Sequence, residues 1–174
     1  MSKTDYDLTK IKGVVFDVDG VLSPACVSLD ENGIPRRMAN LRDGYAIYHG
    51  LRSGLKIAII TGGNDPSIEA RYRGLGMEDV FMVTGPKKPY LEKWMEKHGL
   101  MPFEVAYVGD DIPDYECMQA VGLSVAPADA APEIHSVAYY ITHATGGNGV
   151  ARELIEQIMK AQNTWPISAA AFGK

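Results

Sequence analysis

The chain has 174 residues, 46% of them hydrophobic, and a formal net charge of −5. This length suits one packed domain and is short for two, so we predict a single domain over residues 1–174. The negative charge offers no basic surface for nucleic acid or for an anionic membrane, and neither is an expected partner. The first ten residues are polar and unlike a signal peptide, which favours a cytoplasmic protein.

The first predicted strand is the apolar run from Ile11 to Phe16, which fits a strand buried on both faces of a parallel sheet. Asp17, Asp19 and Gly20 follow it directly. Open α/β sheets bind ligands outside the carboxyl ends of their strands, so these two carboxylates stand where chemistry takes place. At neutral pH they need a divalent cation, a shared proton or full solvation. A short exposed turn explains the same run equally well when the run is taken alone.

The next segment predicts a hairpin and a helix. Two short runs flank a strong turn signal at Asp30–Gly33, and we expect a β-hairpin insertion over about residues 24–41. Asp43 is the predicted N-cap of a helix that continues to about Arg52.

A second buried strand, predicted over residues 56–60, brings Thr61, Gly62 and Gly63 to the same edge of the sheet. The pair Asp65-Pro66 predicts the start of the next helix. The later elements continue the alternation, with strands predicted at 80–83, 104–108, 123–126 and 137–141, helices at about 87–98, 114–121 and 150–160, and a tail at about 162–174. This alternation predicts an α/β protein with a doubly wound, mostly parallel sheet.

Polar side chains follow four of the predicted strands. They are Asp17 and Asp19, Thr61 with its two glycines, Lys87, and the late acidic group Asp110, Asp111 and Asp114. Each has an ordinary explanation as a turn, a helix cap or a solvated lysine. Their joint appearance suits phosphoryl transfer, which needs a nucleophile, charge neutralisation and a proton for the leaving oxygen.

In this interpretation Asp17 attacks phosphorus, and Asp19 protonates the leaving oxygen and then deprotonates water. Thr61, Gly62 and Gly63 hold phosphate oxygens, where glycine lets the backbone come close. Lys87 adds a fixed positive charge, which Asp114 orients through a salt bridge. Mg²⁺ is the expected cofactor, with Asp17, the backbone carbonyl of Asp19, Asp110 and Asp111 as its predicted ligands.

These motifs together resemble those of the haloacid dehalogenase superfamily of aspartate-nucleophile phosphatases, over nearly the whole chain. Lys87 is preferred to Lys88 because its spacing to Gly109 fits that family. Residues 20–60 leave no room for a cap domain, so the chain looks like a capless member. Asp43–Ala46 and the run 146–153 are similar to capless phosphatases of sugar acids. The resemblance implies a small phosphorylated sugar-acid substrate and a homotetramer, with a neighbouring subunit or the tail covering the site.

Some alternatives stay open. Relatives often carry an arginine after the Thr-Gly motif, suited to a substrate carboxylate, whereas this chain has Asn64-Asp65. Arg71 is the predicted substitute, with Arg42 or Arg73 as alternatives. The resemblance implies an eight-carbon sugar acid phosphate as the substrate, with a nine-carbon or another sugar acid phosphate as the alternative. A receiver-type domain that accepts phosphate on an aspartate is the alternative from another class, although the position of the first acidic pair favours an enzyme.

Overall fold

The computed structural model describes residues 4–168, and these contain one six-stranded sheet in which all neighbouring strands are parallel. The strands in chain order are β1 Gly13–Phe16, β2 Lys56–Thr61, β3 Asp79–Met82, β4 Val105–Val108, β5 Leu123–Ala126 and β6 Tyr140–Ile141. Their order across the sheet is β3-β2-β1-β4-β5-β6. The chain therefore builds one half of the sheet outward from β1, then crosses to β4 and builds the other. The carboxyl end of β1 lies at this switch point, where open α/β sheets bind ligands.

Helices cover both faces of the sheet, which confirms the predicted doubly wound α/β class. They are α1 Leu41–Arg52, α2 Pro66–Gly74, α3 Lys88–His98, α4 Tyr115–Gln119, α5 Pro132–Val137 and α6 Val150–Ala161. Helices α1, α2 and α6 bury apolar side chains in one core, and α3, α4 and α5 in the other. Within residues 4–168, none of the helices combines the length and apolarity needed to cross a bilayer.

Strand β1 contributes to both cores because successive side chains of a strand point to opposite faces. Val14 and Phe16 lie in one core and Val15 in the other, all fully buried. The predicted start of this strand is Ile11, whereas the strand begins at Gly13 in the structure. A Cβ on Gly13 would stand 2.7 Å from the Trp94 ring, so glycine lets that large side chain pack against the strand.

The predicted N-cap of α1 is wrong. The helix begins at Leu41, and the Asn40 side chain accepts hydrogen bonds from the backbone N–H groups of Arg42 and Asp43. Asp43 lies in the first turn of the helix and is buried, and its Oδ1 accepts from the backbone N–H of Arg152 at 2.8 Å. It therefore joins α1 to the start of α6 instead of capping its own helix.

The predicted strand at 137–141 is shorter in the structure and contains only its last two residues. Helix α5 has Pro132 in its first turn and ends at Val137, and β6 contains only Tyr140 and Ile141. The carbonyl of Val137 accepts a hydrogen bond from the Ser124 hydroxyl at 2.8 Å, so the end of α5 is tied to β5. This tertiary contact outweighs the strand preference of a β-branched residue.

The insertion between β1 and α1 contains the predicted turn, but little strand pairing extends from it. The Asp30 side chain accepts from the backbone N–H groups of Asn32 and Ile34, which closes the turn. Only one antiparallel bridge, Leu29–Pro35, continues it within the described residues. Residues 17–55 contain this loop and α1, so the described part of the chain holds no cap domain there, as predicted.

Candidate active site

The carboxyl ends of three adjacent strands form the site. Phe16, the last residue of β1, pairs with Ile59 in β2 and with Val108 in β4. The segments that follow these strands therefore leave the sheet side by side. Thr61 ends β2, and Asp17 and Asp110 lie in the segments that follow β1 and β4. The backbone N–H of Asp17 donates to the Val108 carbonyl at 3.0 Å, which holds the first of these segments against the third.

Glycines allow the acidic side chains to approach so closely. Gly20 has a φ of +81°, and a Cβ there would collide with the Asp110 carboxylate. A Cβ on Gly109 would likewise collide with the side chain of Asp114. Position 20 must therefore lack a side chain for the turn after β1 to meet the turn after β4, and position 109 must lack one for the turn after β4 to fold so tightly.

The glycine run before α6 supports the first turn from outside. A Cβ on Gly146 would collide with the backbone of Gly20, and the N–H of Gly147 donates to the Val21 carbonyl at 2.8 Å. The Asp129 side chain accepts from the Gly146 N–H at 2.8 Å. This run packs on the Asp17–Gly20 turn and holds it in place.

Lys87 is buried between two carboxylates. Its Nζ lies 2.9 Å from Asp17 Oδ2 and 2.8 Å from Asp114 Oδ1. Asp114 is fully buried and also accepts from the Tyr107 hydroxyl at 2.7 Å and from the backbone N–H of Asp110 at 3.1 Å. These contacts give Asp114 partners at both oxygens, so it can orient Lys87, as the sequence interpretation expects.

The carboxylates of Asp17, Asp110 and Asp114 offer oxygens that all lie within 4.8 Å of one another. Burial, followed by repulsion from Asp114, raises the pKa of Asp17 well above its usual range. Burial and the charges of Asp114 and Asp111 raise the pKa of Asp110 to about 7. One lysine therefore does not balance the cluster, and a divalent cation would relieve the repulsion.

The donor set fits Mg²⁺, which prefers carboxylate oxygens and keeps several waters. Because Asp114 already accepts from Lys87, Tyr107 and a backbone N–H, Asp17 and Asp110 are the members of this cluster best able to hold a metal. Asp111, also predicted as a ligand, lies outside it. The Asp111 side chain is exposed and accepts from the backbone N–H of Ile112, which caps a short 3-10 helix.

Thr61 is fully buried at the end of β2, and its hydroxyl accepts from the backbone N–H of Gly63 at 3.1 Å. A Cβ on Gly62 would meet no atom within 4 Å, so the space beside this exposed residue is open. Arg71 lies further along, in α2, and its Nε and Nη2 atoms are buried without hydrogen-bond partners. These two atoms do not join Arg71 to the acidic cluster.

Sequence reasoning missed Arg37, which reaches the site from the insertion loop. Its Nε donates to Asp19 Oδ1 at 2.8 Å and its Nη2 donates to Asp19 Oδ2 at 3.0 Å. Arg37 stands four residues beyond the predicted turn, and nothing in the local pattern separates it from its neighbour Arg36.

A family model described as haloacid dehalogenase-like hydrolase matches residues 33–122. The chain is also 40% identical over 152 residues to the 3-deoxy-D-manno-octulosonate 8-phosphate phosphatase KdsC of Salmonella typhi, covering 87% of this chain and 81% of that protein. The chain belongs to the haloacid dehalogenase-like hydrolases.

Two solved structures of this hydrolase family show the same fold over most of the chain. The 3-deoxy-D-manno-octulosonate 8-phosphate phosphatase of Yersinia pestis has a TM-score of 0.85 at 34% identity, covering 91% of this chain and 85% of that one. The enzyme of the same name from Moraxella catarrhalis has a TM-score of 0.84 at 32% identity, covering 90% of each chain. The Moraxella structure is a complex with a magnesium ion, a phosphate ion and a KDO molecule.

Proposed function

We propose that this hydrolase is a Mg²⁺-dependent phosphatase that converts 3-deoxy-D-manno-octulosonate 8-phosphate to the free sugar acid and phosphate, a step of lipopolysaccharide biosynthesis. The observation that carries the chemistry is Lys87 bridging Asp17 and Asp114 beside Asp110 at the switch point of the sheet. The names of the Salmonella, Yersinia and Moraxella relatives support the substrate.

The proposed nucleophile is Asp17. One of its carboxylate oxygens, Oδ1, accepts the backbone N–H of Val18 at 2.7 Å, and the other faces Lys87. As an Asp17 oxygen forms a bond to phosphorus, the bond from phosphorus to the ester oxygen breaks and its electron pair stays on that oxygen. Asp19 gives its proton to this oxygen, and the sugar acid leaves as a neutral alcohol at that position.

Hydrolysis of the aspartyl phosphate completes the cycle. Asp19, now a carboxylate, takes a proton from water as the water oxygen attacks phosphorus, and the bond to Asp17 breaks. We assign the phosphate oxygens to the Thr61 hydroxyl, the Gly62 backbone N–H and the Lys87 ammonium, with Gly63 lining the space beside them. Asp17, Asp110 and the Asp19 carbonyl would hold Mg²⁺, whose positive charge would neutralise the phosphoryl oxygens. Asp111 would bind the metal through a water molecule, and Arg71 is the residue proposed to bind the substrate carboxylate.

Phosphate release tests the proposal. Purified protein with Mg²⁺ is expected to hydrolyse 3-deoxy-D-manno-octulosonate 8-phosphate repeatedly, with a higher kcat/KM than for a nonulosonate 9-phosphate. A clear preference for the nine-carbon ester would move the substrate to that alternative. A single phosphorylation of the protein without turnover would identify a receiver-type acceptor domain instead.

We also propose a cytoplasmic homotetramer, assembled through the insertion. Four apolar residues stand exposed along residues 29–41, namely Leu29 at 61%, Ile34 at 48%, Met38 at 63% and Leu41 at 75%. Such a row is typical of a surface that another chain covers. Light scattering is expected to give the mass of four chains, and Met38→Asp is expected to lower it. A wild-type monomer would contradict this assembly.

A further inference from the structure

The guanidinium of Arg37 forms a bidentate contact with the Asp19 carboxylate. The Nε and Nη2 groups each bind a different carboxylate oxygen, at 2.8 and 3.0 Å, and Nη1 lies 3.4 Å from Asp65 Oδ2. Only 11% of the Arg37 side chain is exposed, although the loop that carries it lies at the surface. Paired contacts of this kind fix the orientation of both groups, because the two N–H directions are rigid relative to each other.

Gly63 makes room for this contact. A Cβ on Gly63 would stand 2.7 Å from Arg37 Nη2, closer than real Cβ contacts allow, and 3.1 Å from Cζ. The guanidinium thus fills the volume that a side chain at position 63 would need. Arg37, Gly63 and Asp19 therefore form one packed unit beside the segment that follows β2.

The loop holds Arg37 in place from both sides. The backbone N–H of Met38 donates to the Ser23 hydroxyl at 3.0 Å, and the N–H of Arg36 donates to the Ser28 carbonyl at 2.8 Å. The cost of ordering a long side chain is thereby met in the free protein. Asp19 itself remains 45% exposed, so a substrate can still reach it.

We propose that Arg37 is a positioning residue that aims the Asp19 carboxyl group at the leaving oxygen. This inference rests on the proposed phosphatase chemistry, though not on the identity of the sugar. A carboxylate has about four lone-pair sites, so the two Arg37 contacts leave one site on each oxygen for the proton that moves to the ester oxygen. Without the bidentate contact from Arg37, the Asp19 side chain is free to rotate among its staggered conformers. Only part of the Asp19 population then faces the ester oxygen.

A comparison of leaving groups tests this role. An alkyl phosphate needs a proton on its leaving oxygen, whereas p-nitrophenyl phosphate leaves as a stable phenolate with little help. Arg37→Met is therefore expected to lower the ratio of kcat/KM for 3-deoxy-D-manno-octulosonate 8-phosphate to kcat/KM for p-nitrophenyl phosphate by about 30-fold, part of the 10²–10⁴ that general acid catalysis supplies. This ratio excludes the later hydrolysis of the aspartyl phosphate, which is common to both esters.

Three further variants sharpen the result. Gly63→Ala leaves the charge of Arg37 intact but displaces its guanidinium, so the ratio is expected to fall in the same direction. Arg37→Lys restores the positive charge without the bidentate contact to Asp19. It is expected to recover less than half of the loss, measured as the logarithm of the ratio of the two kcat/KM values. Arg36→Met, which changes the exposed neighbour, is expected to leave the ratio within about two-fold of wild type.

Equal losses for the two esters in Arg37→Met, or full recovery in Arg37→Lys, would overturn the positioning role, because charge near the phosphoryl group would then suffice. If Arg37→Met does not fold, Gly63→Ala decides the question by the same ratio. Failure of the proposed phosphatase chemistry gives a different result, since the wild-type protein would then hydrolyse neither ester. If the wild type hydrolyses p-nitrophenyl phosphate but not the sugar acid phosphate, glycerol 3-phosphate replaces the latter as the alkyl ester.

Discussion

Lys87→Met tests whether one buried cation stabilises the acidic cluster. The Lys87 side chain is 5% exposed, and its Nζ lies 2.9 Å from Asp17 and 2.8 Å from Asp114. Methionine fills similar apolar space but leaves both carboxylates without their cation. Removing one partner of a buried ion pair costs about 3–5 kcal/mol because the other charge stays buried. We therefore expect the free energy of unfolding to fall by about that amount at about pH 8 in the presence of EDTA.

Urea denaturation followed by circular dichroism measures this loss. At about pH 5 the loss is expected to shrink, because buried carboxyl groups without a cation take up protons instead of staying charged. Lys88→Met is the matched control. Among residues 4–168, Lys88 pairs only with Glu92 at 3.7 Å, with both side chains about half exposed, so a change below about 0.5 kcal/mol is expected. Wild-type stability of Lys87→Met at about pH 8 would refute the assignment of Lys87 as the cation of this cluster.

Three other outcomes follow from the same geometry. Asp17→Asn is expected to lower kcat by at least about 10³-fold while the free energy of unfolding changes by less than about 1 kcal/mol, since the amide removes a charge that burial disfavours; full activity would exclude Asp17 as nucleophile. Excess EDTA is expected to abolish phosphate release and added Mg²⁺ to restore it, whereas turnover that persists in EDTA would argue against the metal. Burial raises the pKa of Asp43 to about 6, so its contribution to stability is complete below about pH 4 and is lost as the pH rises through 6. Asp43→Asn is expected to remove about 2–3 kcal/mol of that decline in urea titrations, and parallel pH profiles for the two proteins would contradict it.

Local pattern was sufficient for the strands that build the site. The runs before Asp17, Thr61 and Gly109 are short, apolar and bounded by glycine or polar residues, and each forms a buried strand of the sheet. Parallel strands place their carboxyl ends at the same edge of the sheet. The residues that follow these strands therefore lie close together, however many residues separate them in the sequence. The proximity of Asp17 to Asp110 could therefore be predicted without an alignment.

Local pattern was insufficient where two elements compete for the same residue. Asn40 and Asp43 are both good helix caps. The choice between them depends on α6, because the backbone N–H of Arg152 at its start donates a hydrogen bond to the Asp43 carboxylate. The late start of the strand predicted at 137–141 has the same origin, since a hydrogen bond from Ser124 in another strand fixes the end of α5. Neither partner is visible from the neighbouring residues.

The contact between Arg37 and Asp19 illustrates the limit most clearly. An arginine on a polar loop is normally solvated, and a glycine after Thr61-Gly62 normally indicates backbone freedom. Gly63 instead supplies volume, because a guanidinium from a loop 26 residues earlier in the chain occupies the place of its side chain. A residue type explained by local conformation can thus be required by a distant side chain. A single sequence does not reveal that Gly63 and Arg37 pack together in space. This packing orients Asp19, the proposed general acid.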